Sequence, residues 1–208
     1  MKPLDHRLLL AQSLTLLLAL AAAAAPAGAQ QTELTVLAGL RIGGELEDTA
    51  SGDAQSIDES LALGLALGFP FGRGRTLEVV WTHQPLDVPT TGDDAGEFGL
   101  RLDTLGVGGT YEWGEGRLRP FVSATVGLTL LSPDSADFDL ELLFAGTLGG
   151  GVKVPISGRV GLRLEGRGVA MLATGSAAGV CGGGACVLGF SGSGIAQLEL
   201  LAGLSFSF

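Results

Sequence analysis

Positive charge is scarce in this chain: 12 Lys and Arg stand against 22 Asp and Glu, for a formal net charge of −10. A nucleic-acid partner is therefore not expected, because phosphate binding needs clustered Lys and Arg. Histidine is almost missing. The one adjacent Asp-His pair, Asp5-His6, lies in the N-terminal segment, and His83 has no companion nucleophile and orienting group in view. The sequence thus points away from an enzyme, and His83, beside Trp81, reads as an interfacial residue. Cysteine is limited to Cys181 and Cys186. A zinc site would want four ligands, and no second Cys or His group is near them in sequence, so no metal or cofactor is expected. Finally, no apolar run of spanning length follows Ala29, so no transmembrane helix is expected beyond it. A β-barrel or a surface anchor are the remaining ways to meet a membrane.

The N-terminus reads as an export signal. Lys2 and Arg7 precede an apolar run from Leu8 to Ala25, Pro26 breaks it, and Ala27-Gly28-Ala29 supplies a small-x-small cleavage pattern. A retained anchor is the competing reading, but no polar stop-transfer flank follows. Residues 1–29 are taken as a signal peptide and residues 30–208 as one domain. Glycine is abundant, at 35 residues, without a Gly-X-Y period or a Ser/Pro tract, which argues against collagen and against a linker.

What the sequence does contain is alternation. Residues 32–46, 60–69, 76–84, 104–113, 120–131, 141–154, 160–172 and 196–208 place apolar side chains on one face and small or polar ones on the other. Period two is the strand signature, because successive side chains point to opposite faces. Eight strands of about ten residues is an even number at the length that crosses a bilayer with tilt. The connections alternate between short (70–75, 114–116, 155–158) and long (47–59, 85–98, 132–139, 173–194), as periplasmic turns and extracellular loops do. A soluble barrel or β-sandwich would also alternate, but it would bury the apolar face. Here the other face is Gly, Ala, Thr, Ser and charges, a poor hydrophobic core. The expectation is an all-β, eight-stranded antiparallel up-and-down barrel with a narrow lumen.

Eight charges fall on the inward face by this reading: Arg41, Glu45, Glu78, Lys153, Arg163, Glu165, Arg167 and Glu199. Burial of unpaired charge is costly, so pairing across the lumen is expected, either as a plug or as the lining of a polar conduit. The long loops are acidic and hold no Lys or Arg, while the short turns and their flanks carry Arg73, Arg75, Arg117, Arg119 and Arg159. A solvated outer face explains the acids, and divalent cations bridging to lipopolysaccharide would be a further use of them. Cys181 and Cys186 bracket Gly-Gly-Gly-Ala in the longest loop, and an exported protein favours a short-loop disulfide between them.

The terminal stretch Gly203-Leu204-Ser205-Phe206-Ser207-Phe208 resembles the assembly signal of outer-membrane barrels. Gly203, Phe206 and Phe208 match its glycine and two aromatics, and Leu201 departs from the polar residue usual two positions before the glycine. The resemblance implies insertion by the barrel assembly machinery. The mature chain is also similar to the OmpA-, OmpW- and opacity-protein-like barrels, through Leu77–Gln84, Gly106–Trp113 and Gly161–Gly168. The terminal signal implies an outer-membrane location, among lipid and lipopolysaccharide, while the rest of the likeness implies the fold alone and no activity; a monomer is expected. The expected role is structural or surface-interacting with a plugged lumen; the alternative is a narrow channel passing small molecules.

Overall fold

The computed structural model describes residues 31–48, 54–56, 59–90, 96–114, 116–133, 140–173, 179–182, 185–190 and 194–208; the expected signal peptide lies outside them. The described residues hold strands β1 (Glu33–Ile42), β2 (Glu45–Asp48), β3 (Ala54–Ser56), β4 (Ser60–Pro70), β5 (Arg75–Thr90), β6 (Gly96–Glu112), β7 (Arg119–Pro133), β8 (Glu141–Pro155), β9 (Val160–Ala173), β10 (Gly179–Gly182), β11 (Ala185–Phe190) and β12 (Gly194–Ser207). Eight of them close into an antiparallel barrel in the order β1-β12-β9-β8-β7-β6-β5-β4. The first and last barrel strands meet in register, Glu33 opposite Ser207 through Ile42 opposite Leu198.

The barrel is apolar outside. Leu61, Val126 and Leu148 are 66%, 61% and 73% exposed on the outer wall, whereas their opposite-facing neighbours Ala62 and Ala66 are buried. Leucines left this open in water would cost roughly 1.5–3 kcal/mol each relative to burial, so a continuous belt of them is stable only against lipid. At the turn end the belt finishes in aromatics: Tyr111 and Trp113 stack with centroids 6.1 Å apart, and Phe71, Phe206 and Phe208 are exposed at the same end on other strands. Such rings suit the membrane–water boundary, where one part of the side chain is wet.

Three expectations are corrected. The long connection at 85–98 is largely strand, since β5 and β6 pair on to Thr90 opposite Gly96. Pairing of β5 with β4 stops at His83, two residues before Pro85, where a residue without an N–H would interrupt the ladder; beyond it β5 is paired with β6 alone among the described residues. Parts of 47–59 and 173–194 are also extended: β2, β3, β10 and β11 form a second sheet in the order β10-β11-β2-β3. The third correction is Glu45. Gly43 and Gly44 adopt φ of +84° and +101°, which ends β1 and sends the chain into the second sheet. Glu45 opens β2, opposite Ser56, and is not on a barrel strand.

Candidate functional site: charged tiers in the barrel interior

Strand direction orders the inward charges into three tiers. β1 and β9 run away from the turn end, so Glu33 precedes Arg41 and Arg163 precedes Arg167; β8 and β12 run toward it, so Lys153 lies low and Glu199 high.

In the upper tier Glu199 is flanked on one rung, by Arg41 from β1 and by Arg167 from β9. Arg41 donates from Nε and Nη2 to Glu199 Oε1 at 3.2 and 2.8 Å, and Arg167 Nε donates to Glu199 Oε2. The remaining protons of Arg41 reach Gln84 Oε1 at 2.6 Å and Thr82 Oγ1 at 3.3 Å, while Gln84 Nε2 donates to Ser60 Oγ.

The middle tier is centred on Arg163, which is 1% exposed. It donates from Nη1 and Nη2 to the two oxygens of Glu78, at 2.7 and 3.1 Å, and from Nε to Glu165 Oε2 at 2.9 Å. Ser123 Oγ donates to the other Glu165 oxygen at 2.6 Å. The Arg163 guanidinium also lies over the Phe121 ring, 4.8 Å from its centroid. A two-pronged guanidinium–carboxylate pair with each oxygen of both carboxylates accepting a hydrogen bond is the arrangement that offsets desolvation in a low-dielectric interior.

The lowest tier is more open. Lys153 Nζ donates to Glu33 Oε1 at 2.7 Å and lies 3.9 Å from Glu112 Oε2, and Arg119 Nη1 donates to Glu112 Oε1 at 3.4 Å. Seven of the eight expected lumen charges thus enter the three tiers, with Glu45 left out. Glu33, Glu112, Thr82, Gln84 and Ser123 join them. Their strand parity was legible in the sequence, but their partners lie on strands far away in the chain.

Above the tiers the lumen is apolar, contrary to the expectation of a small and polar interior. Leu86, Leu100, Leu102, Leu131, Leu143 and Met171 are inward and at most 5% exposed. Leu201, the exception on its strand, packs with Leu37, Ala62, Ala66 and Val80 in a second apolar cluster on the lumen wall.

Outside the lumen, His83 Nδ1 lies 2.9 Å from Asp103 Oδ1 on the outer wall, and His83 stacks on Trp81. Sequence adjacency missed this pair because β5 and β6 bring it together across a hairpin. Gly203 faces inward, and a Cβ there would meet Val36 O at 2.6 Å and Leu37 Cδ2 at 2.7 Å, so the position has no room for a side chain. Phe206 and Phe208 point outward. Cys181 and Cys186 are opposite one another in the register of the β10–β11 hairpin.

A closed barrel with lipid-suited walls and ionised groups inside is inverted relative to a soluble fold. The chain is similar in fold to neisserial surface protein A, which superposes with a TM-score of 0.55 at 14% identity, over 84% of this chain and 97% of that one. The fold is that of the eight-stranded outer-membrane β-barrels. The outer membrane protein AlkL, solved in lipid bilayers, agrees at the same TM-score, with 17% identity over 89% of this chain and 94% of that one. No family model and no curated protein sequence matches the chain. For an outer-membrane barrel, outward leucines and terminal aromatics are ordinary, and the individual features are the tiers and the apolar layer above them.

Proposed function

We propose that this barrel is an integral outer-membrane protein with a structural or surface-interacting role and no catalytic activity, its lumen plugged by paired charges. In this reading residues 1–29 direct export, the mature chain begins at Gln30, and the barrel assembly machinery inserts it as a monomer among lipid and lipopolysaccharide. The observation that carries the plug is the bidentate Arg163–Glu78 pair, joined across the lumen and extended by Glu165. An eight-stranded barrel has an interior only wide enough for side chains to fill, so a strut at its centre leaves no continuous water column. The apolar layer supports the same reading, since ions do not enter a dry constriction lined by leucine.

Planar-bilayer recording tests it. Wild type should show no steady conductance. Arg163→Ala should loosen the barrel and admit at most a small, unstable leak, because the apolar layer is untouched. A large, stable wild-type channel would overturn the plug and favour passage of small molecules.

A further inference from the structure

The turn end of the barrel carries a repeated pattern that the lumen does not use. Each of the three barrel turns presents one large apolar side chain and at least one arginine: Phe71 with Arg73, Leu118 with Arg117, and Ile156 with Arg159. The apolar members are 58%, 63% and 64% exposed, although they sit in turns where polar residues would serve as well. Arg75 and Arg119 add two more cations at the strand starts. Among residues 31–208 the other basic residues are Arg41, Lys153, Arg163 and Arg167 of the lumen tiers and Arg101, and Arg119 alone is shared with the lowest tier, so the turn end is the main basic surface of the barrel.

These arginines lie at the height of the aromatic girdle. Arg75 is opposite Tyr111 on its rung. The Arg159 carbonyl accepts from Ser207 N, between outward Phe206 and Phe208. Trp113 N donates to Pro120 O, which ties the backbone after Leu118–Arg119 to that of the girdle tryptophan. Aromatic rings mark the headgroup level of a bilayer, so the guanidiniums meet phosphates there while Phe71, Leu118 and Ile156 reach the acyl boundary. Among the described residues Glu59, Asp87, Glu97 and Glu141 lie at the far ends of β4, β5, β6 and β8, so the charge is polarised along the barrel axis.

We infer that the turn end is a docking surface for anionic phospholipid headgroups of the leaflet it enters, with phosphates held by Arg73, Arg117 and Arg159 and the apolar tips inserted beside them. This rests on the membrane-barrel reading above. The ligand is the lipid phosphate in place in its leaflet rather than a free anion. Each basic residue at such a surface adds about a five-fold preference for anionic over neutral lipid.

The test uses the mature chain refolded into vesicles of phosphatidylcholine alone or of a phosphatidylcholine–phosphatidylglycerol mixture with the same acyl chains. Thermal unfolding is followed by the gel shift of the heat-modifiable barrel. Wild type should unfold roughly 5 °C or more higher in the anionic vesicles at low salt, a difference that shrinks as salt is raised. Arg73→Gln/Arg117→Gln/Arg159→Gln should match wild type in the neutral vesicles and lose most of the difference. If the triple variant does not fold, each single variant should lose part of it. Equal midpoints for wild type in the two lipids, or a triple variant that keeps the full difference, would overturn the inference. Inorganic phosphate added to neutral vesicles should change nothing; a matching rise would reassign the site to free anions. No heat-modifiable species in any vesicle would instead overturn the barrel reading beneath it.

Discussion

Arg163 and Glu78 stand on diametrically opposite strands: from β9 to β5 there are four steps around the barrel in either direction. Their bidentate pair is therefore a strut across the full lumen, tying together walls that share no ladder bond. Most sheet contacts hold only neighbouring strands. This one opposes flattening of the barrel.

Removal of one end of the strut leaves a buried charge without its partner. Glu78→Gln or Arg163→Ala should cost about 3–5 kcal/mol, less where water reaches the orphan. Urea unfolding of the folded barrel measures this. The double substitution Glu78→Leu/Arg163→Leu should cost clearly less than the sum of the single ones, because no lone charge remains. Additive losses would show that the two side chains do not depend on each other.

Glycine at 39 is the second test. A Cβ there would run into the Leu200 carbonyl on β12, whereas nothing lies within 4 Å of one at Gly158. Gly39→Ala should lower stability by about 1–3 kcal/mol, and Gly158→Ala should be near neutral. The comparison is read from unfolding midpoints in the same lipid.

Assembly should depend on the last residue. Phe208 is outward, and its amide donates to Thr32 O at 3.0 Å, so it fastens the seam between the two ends of the chain. Loss of Phe208 should reduce the heat-modifiable form in the outer-membrane fraction and leave protein in the periplasm. Unchanged insertion would remove the residue from the assembly signal.

The cysteines give a fourth expectation. Opposed in one hairpin, Cys181 and Cys186 should be joined in protein made under oxidising conditions, and a thiol reagent should label neither until a reductant is added. Full labelling of the untreated protein would refute the bond. Its contribution to stability is small because the loop is short, about 2–3 kcal/mol at most.

The barrel strands were legible because every one repeats at period two beside a lipid wall. Ser60–Pro70 and Val160–Ala173 differ from their expected bounds by one residue. The upper ends were hidden for local reasons. Pro85 and Pro89 imitate a loop, and the strand that holds them is paired there with β6 alone among the described residues. The β10–β11 hairpin has a turn signal in its sequence, a glycine run between Val180 and Leu188, but its flanks are too short for a clear period-two pattern. The tiers divide in the same way. Parity gave Arg41, Arg163, Arg167 and Glu199 their inward face, but partner choice depends on register. Register put Glu199 between Arg41 and Arg167 and left Arg163 free to reach Glu78. The apolar layer stayed hidden because residues such as Leu100 and Met171 lie where the alternation gives way to longer strands or mixed faces.

The raised hairpin of β5 and β6 has a consequence for neighbours in a crowded membrane. From Gln84 to Thr90, β5 pairs with β6 and, among the described residues, with no strand on its other side, over roughly 20 Å of extended chain. Such an edge invites another copy to add itself and continue the sheet from one molecule into the next. Pro85 and Pro89 share one parity on β5, and neither has an N–H to donate to an added strand. The feature that gives this strand the look of a loop also makes it a poor template for another copy.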